Sequence, residues 1–154
     1  MILSIRWLLL LLSGLCVFSS LLCAEIVKEV GADGTLTLES GKQVVLAGIE
    51  MDAEGISVLR VLVQKRDLKL RLIARSAPGA KELAYGYLKA KYLKFPAKTD
   101  DTPDEHEVLI NEFLVKTGAA KVAETQDFSH NAKFLKVQEE AKKKGQGVWS
   151  YEIS

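Results

Sequence analysis

Gly31-Ala32-Asp33-Gly34-Thr35-Leu36-Thr37-Leu38-Glu39-Ser40-Gly41-Lys42-Gln43-Val44-Val45-Leu46-Ala47-Gly48-Ile49 decides the shape of this chain. Glycine-containing turns at 31–34 and 40–42 bracket Thr35-Leu36-Thr37-Leu38, whose alternation of hydroxyl and apolar side chains is that of a half-buried strand. Residues 44–49 supply a strand after it, and Ile26-Val27 with Val30 one before it. Turns this short join antiparallel neighbours, so residues 25–50 read as a meander that curls on itself.

Downstream, Asp52 is placed to cap a helix in which Ile56, Leu59 and Leu62-Val63 share one face, while Arg60 and Gln64 lie on another. That helix ends near residues 65–67. Leu68, Leu70 and Leu72 then alternate with Lys69 and Arg71, the clearest period-two stretch in the chain, and Arg75 continues the basic side. Ser76-Ala77-Pro78-Gly79 turns into a fifth strand at 82–88, containing Leu83, Tyr85 and Tyr87. Residues 94–107 carry Pro96, Pro103, Asp100, Asp101, Asp104, Glu105 and Glu107 and read as an exposed acidic loop without the EF-hand pattern. Two more helices are expected at 108–117, stopping at Gly118, and at 131–144, with lysines in the last turn before Gly145. Gly147-Val148-Trp149 then lays an indole back on the core. The fold class is β-rich α+β, five strands with three helices in one domain.

Upstream, residues 1–24 carry a single charge, Arg6, ahead of the apolar run from Trp7 to Leu12, and close on Ala24. These are the parts of a secretory signal, so export to a periplasm or the medium is expected, with a mature domain at 25–150. A retained membrane anchor is the alternative. Lipidation of Cys23 fits less well, because Leu22 stands where a small residue is needed. Both cysteines, Cys16 and Cys23, precede Glu25, so removal after Ala24 excludes disulfides, zinc-thiolate sites and thiol nucleophiles. The chain has 21 basic and 20 acidic residues, and losing Arg6 leaves 20 against 20. With no basic excess, affinity for phosphates must come from a local patch.

Four stretches carry a family resemblance: Leu46-Ala47-Gly48-Ile49-Glu50, Leu83-Ala84-Tyr85-Gly86-Tyr87-Leu88, Asn111-Glu112-Phe113-Leu114-Val115-Lys116-Thr117-Gly118, and Phe134 through Gln138-Glu139-Glu140-Ala141-Lys142 to Gly147-Val148-Trp149-Ser150. In this order they resemble the staphylococcal nuclease (thermonuclease) family, which implies a five-stranded OB-fold barrel. The family hydrolyses phosphodiesters with one Ca²⁺ held by two aspartates and a carbonyl, a glutamate acting on water, and two arginines on the phosphate. That set meets the extra negative charge of the transition state with a cation and guanidinium forks. Carried over by the resemblance, the first metal aspartate falls on Gly34, the second on Glu50, and the carbonyl on Met51. The glutamate falls on Ala53, and the arginines on Val45 and Lys81. Lysine offers a point charge where arginine offers a fork.

Neighbours of these positions are the candidates for a shifted site: Asp33 beside Gly34 with Glu50 for metal, and Glu54 with Lys81 for catalysis. A one-residue slip along a strand reverses the face of a side chain, so Asp33 needs a bulge or an altered turn. Lys69, Arg71 and Arg75 form a candidate phosphate-facing stripe, and Tyr85 and Tyr87 candidate stacking platforms. His106 and His130 lack metal-ligand spacing and are expected at the surface. The leading expectation is a monomeric, catalytically weak or inactive module that binds a protein, peptide or nucleic-acid ligand. Its alternative is a Ca²⁺-dependent nuclease of DNA or RNA with a rearranged site.

Overall fold

The computed structural model describes residues 22–74, 81–93, 106–124 and 128–151. Strands β1 (Leu22–Val30), β2 (Leu36–Leu38) and β3 (Gln43–Leu46) form the expected antiparallel meander, with Val30 against Leu36 and Leu36 against Val44. Its inward residues, Val27, Leu36, Leu38, Val44 and Leu46, are almost fully buried. Side chains of this size each stabilise the fold by about 1.5–3 kcal/mol relative to exposure.

Residues 44–49 are not one strand, as the apolar run suggests. Gly48 takes φ 75°, and the bend sends β4 (Ile49–Glu50) away to pair with β8 (Lys121–Val122). A left-handed backbone inside an apolar run is invisible to periodicity but natural for glycine.

Helix α1 (Ala53–Val63) starts where Asp52 caps it, Oδ1 accepting the Gly55 N–H at 2.8 Å. It buries Gly55, Ile56, Leu59, Leu62 and Val63, and the chain leaves it through Lys65 at φ 60°. β5 (Asp67–Ala74) buries Leu68 and Leu70 and exposes Arg71, as the alternation predicts. β6 (Glu82–Lys89) pairs antiparallel with β5 along one side.

Two further pairings close the barrel. β1 lies antiparallel to β5, and β3 lies parallel to β6, Val45 against Leu83. The result is a closed five-stranded mixed barrel in the order β1-β2-β3-β6-β5, one parallel seam among antiparallel ones. Closure removes the open edges a five-stranded sheet would otherwise present.

Where β3 leaves β6, its place is taken by β7 (Glu107–Leu109), with Tyr87 against Leu109 and Lys89 against Glu107. Residues 107–109 are therefore strand, and α2 begins at Ile110, not at 108 (Ile110–Lys116). The flank of β6 vacated by β3 offers three backbone pairs, which outweigh a helical start lacking a capping side chain. The rest of the expected acidic loop, 94–105, lies outside the described residues.

α3 (Asn131–Lys143) packs on α2 and buries Phe134, Gln138 and Ala141. A final 3-10 turn (Gly147–Tyr151) returns Trp149 to the core at 5% exposure, as expected. Among the described residues no helix is long and apolar enough to cross a membrane. Residues 1–21 lie outside them, whereas Leu22, Cys23 and Ala24, expected in the leader, form the start of β1.

Candidate functional site

The β1–β2 turn, the entry to α1 and the first residue before β6 meet at one mouth of the barrel, where the resemblance locates its chemistry. Gly34 is buried there at φ 79°. A Cβ at this position would come within 3.2 Å of Met51 Cε and 3.7 Å of Ile56 Cγ1. Left-handed backbone and apolar neighbours both oppose a carboxylate at residue 34.

The adjacent Asp33 is engaged on both oxygens. Its Oδ1 accepts the Thr35 N–H at 3.0 Å, the side-chain turn that shapes this hairpin. Its Oδ2 lies 2.5 Å from Lys81 Nζ, an ion pair spanning 48 residues of sequence. The Lys81 ammonium, with Thr35 behind it, holds the Asp33 carboxyl far below the usual carboxylate range. The structure thus brings together two candidate site residues, and it uses each to neutralise the other.

Val45, half-buried, stands in register with Leu83 beside this pair, so the flank that the resemblance assigns to an arginine is aliphatic. Glu50 is exposed, and its backbone belongs to the β4–β8 ladder with Lys121 as partner. Glu54 is exposed in the first turn of α1, where a carboxylate favours the positive end of the helix. Ca²⁺ takes six to eight oxygens at about 2.3–2.6 Å. Among the described residues no three His, Cys, Asp or Glu side chains converge for a metal. With Asp33 closed on an ammonium and residue 34 bare, the donor set does not fit a calcium ion.

The basic stripe is divided. Lys69 Nζ lies 3.1 Å from both carboxylate oxygens of Glu107 on β7. Arg71 is exposed on the outer face of β5, and Arg75 lies outside the described residues. Tyr87 is half-buried between Lys69 and Leu109 in register. Tyr85 is 2% exposed, its ring 4.5 Å from that of His130 and edge-on to Phe134 at 6.3 Å. Its hydroxyl lies 3.3 Å from Ser129 Oγ. That packing leaves Tyr85 no face for a base, a correction to its candidacy as a stacking platform. His130 is half-buried, at the surface as expected but with one side of its ring against Tyr85, and its Nδ1 lies 3.0 Å from Ser129 Oγ. His106 is exposed, as expected.

Among the described residues, a buried side chain rich in polar contacts lies outside the set of candidates. Asn111, fully buried, accepts the Gly86 N–H at 3.0 Å and donates to the Ala47 carbonyl at 2.8 Å and the Ala84 carbonyl at 3.4 Å. It joins α2, β6 and the bend after β3. A lone asparagine among apolar helix residues is the sequence signal for such a role. Gln138 acts similarly, its Oε1 accepting the Val122 N–H at 2.7 Å to tie α3 to β8. Trp149 has the ammonium groups of Lys121 and Lys142 at 4.6 and 4.7 Å from its ring.

The model of one family, staphylococcal nuclease homologue, matches residues 32–151, nearly the whole of the described fold. The comparison with curated proteins gives no match.

Proposed function

Because this chain belongs to the staphylococcal nuclease homologue family, we propose that it is an exported OB-fold binding module with weak or no phosphodiesterase activity. The observation that carries the reading is the closed mouth: Gly34 at φ 79° against Met51, with Asp33 held by Lys81. A transition state with extra negative charge needs a metal and guanidinium forks, and these positions hold a glycine, a valine and a neutralised lysine. Export is supported by the apolar segment ending at Ala24 and its single early charge. The ligand belongs to the protein, peptide or nucleic-acid class, bound by a monomer. Overall charge near balance supports a partner held by a local surface and not by a general attraction to phosphates.

The test is cleavage of single-stranded DNA by the purified protein, with Ca²⁺ and with a chelator. No metal-dependent product is expected at concentrations where binding is detected. Cleavage that depends on Ca²⁺ and is abolished by Glu50→Gln would establish the rearranged nuclease instead.

A further inference from the structure

β8 and α3 meet at the indole of Trp149. Gln138 Oε1 accepts the Val122 N–H at 2.7 Å, which sets Gln138 and Lys142, one helical turn apart, beside Lys121 and Val122. The final turn is held as firmly. The Val148 N–H donates to the Gly118 carbonyl at 3.0 Å, and a Cβ on Gly118 would strike the Gln146 carbonyl. Two ammonium groups are thereby gathered on one ring, Lys121 Nζ at 4.6 Å and Lys142 Nζ at 4.7 Å from its centre. The ring attracts each cation but neutralises neither.

Their anionic company is thin. Glu139 lies 3.1 Å from Lys142 Nζ, but its side chain is 59% exposed, where an ion pair is screened. Among the described residues Lys121 makes no ion pair, not even with Glu50 across the ladder. Nor is the end of α3 short of donors. The carbonyls of Glu140, Ala141 and Lys142 accept the N–H groups of Lys144, Gln146 and Gly145. A third donor completes the cluster. Trp149 is 5% exposed, and its Nε1 has no acceptor among the described residues, whereas a buried donor ordinarily finds one.

We propose that Lys121, Lys142 and Trp149 form an oxyanion site that takes a phosphate group, as the free ion or as the headgroup of an anionic lipid. A phosphate monoester carries close to two negative charges at neutral pH and several acceptor oxygens. That matches two ammonium groups and an N–H in need of an acceptor. Exposed Lys143 and Lys144 add positive charge on the approach. The site stands apart from the closed mouth, since neither Asp33 nor Lys81 contributes to it. It holds whether or not the chain cleaves phosphodiesters.

Trp149 reports on its own site. With Trp7→Phe in the full chain it is the sole indole, and its emission is followed as inorganic phosphate replaces chloride at constant ionic strength. A saturable change is expected, half complete at about 1 mM. Lys121→Gln and Lys142→Gln should each raise that midpoint by about tenfold. Glu139→Gln, which frees Lys142, should lower it by about two- to fivefold. Lysines that merely cover the indole would give no such gain. Co-sedimentation with phosphatidic acid vesicles, lost in Lys121→Gln, would make a lipid headgroup the source. A response to phosphate without co-sedimentation would make it the free ion, and either result upholds the site. No change beyond that of chloride, or one midpoint shared by the protein and all three variants, overturns the proposal.

Discussion

Asn111 and Asp33 each bond to backbone and to a second element of the fold, but they do so in opposite settings. Asn111 is sealed in the core, where each bond replaces one to water that it no longer has. Asp33 and Lys81 sit half in solvent, where an ion pair is screened and competes with hydration. The first arrangement is costly to change and preserves the barrel. The second leaves the mouth free to alter its chemistry without unfolding the molecule.

The comparison breaks most visibly at Asn111. Asn111→Ala orphans the Gly86 N–H and the Ala47 carbonyl together, and should cost about 3 kcal/mol, read as a lowered urea midpoint at unchanged slope. A loss below about 1 kcal/mol would mean that the hub is decorative. Gly55→Ala should follow at about 2 kcal/mol, because its Cβ would run into the Ala119 carbonyl and push α1 off the loop after α2. Gln138→Ala removes the acceptor of the Val122 N–H and should cost about 1–2 kcal/mol in the same experiment.

At the mouth the effect is smallest, and its pH dependence identifies it. The Asp33 carboxyl is lowered by Lys81 and then by the Thr35 N–H. Its contribution is therefore complete above the ordinary carboxylate range and is lost as pH falls through the lowered folded value. The Tm gap between the protein and Asp33→Asn should be constant from about pH 5 to 8 and shrink in acid. It should also narrow with added salt. A gap that widens in acid would contradict the assignment.

Much of this was legible in the sequence, for reasons that differ by element. The meander, the Asp52 cap and the Leu68-Leu70-Leu72 face follow from local rules, turn residues and period two. The bend at Gly48 and the strand at 107–109 were not legible. The one depends on a single backbone angle, and the other on a vacant strand flank supplied by β6. At the mouth, the resemblance sets Gly34 and Val45 where it implies an aspartate and an arginine, a comparison of residue types that needs no structure. The Asp33–Lys81 pair needed the parallel β3–β6 seam, which brings residues 33 and 81 together and which no local pattern announces. Tyr85 reads as a platform only until α3 is docked beside it.

Calcium titration followed by melting temperature tests the central claim most directly, since a ligand bound by the folded state alone raises Tm with its concentration. With Gly34 bare and Asp33 closed on Lys81, millimolar Ca²⁺ should leave Tm where a chelator leaves it, in the protein and in Glu50→Gln alike. A Tm that climbs with Ca²⁺ in the protein and stays flat in Glu50→Gln would contradict the account and place a working metal site at this mouth.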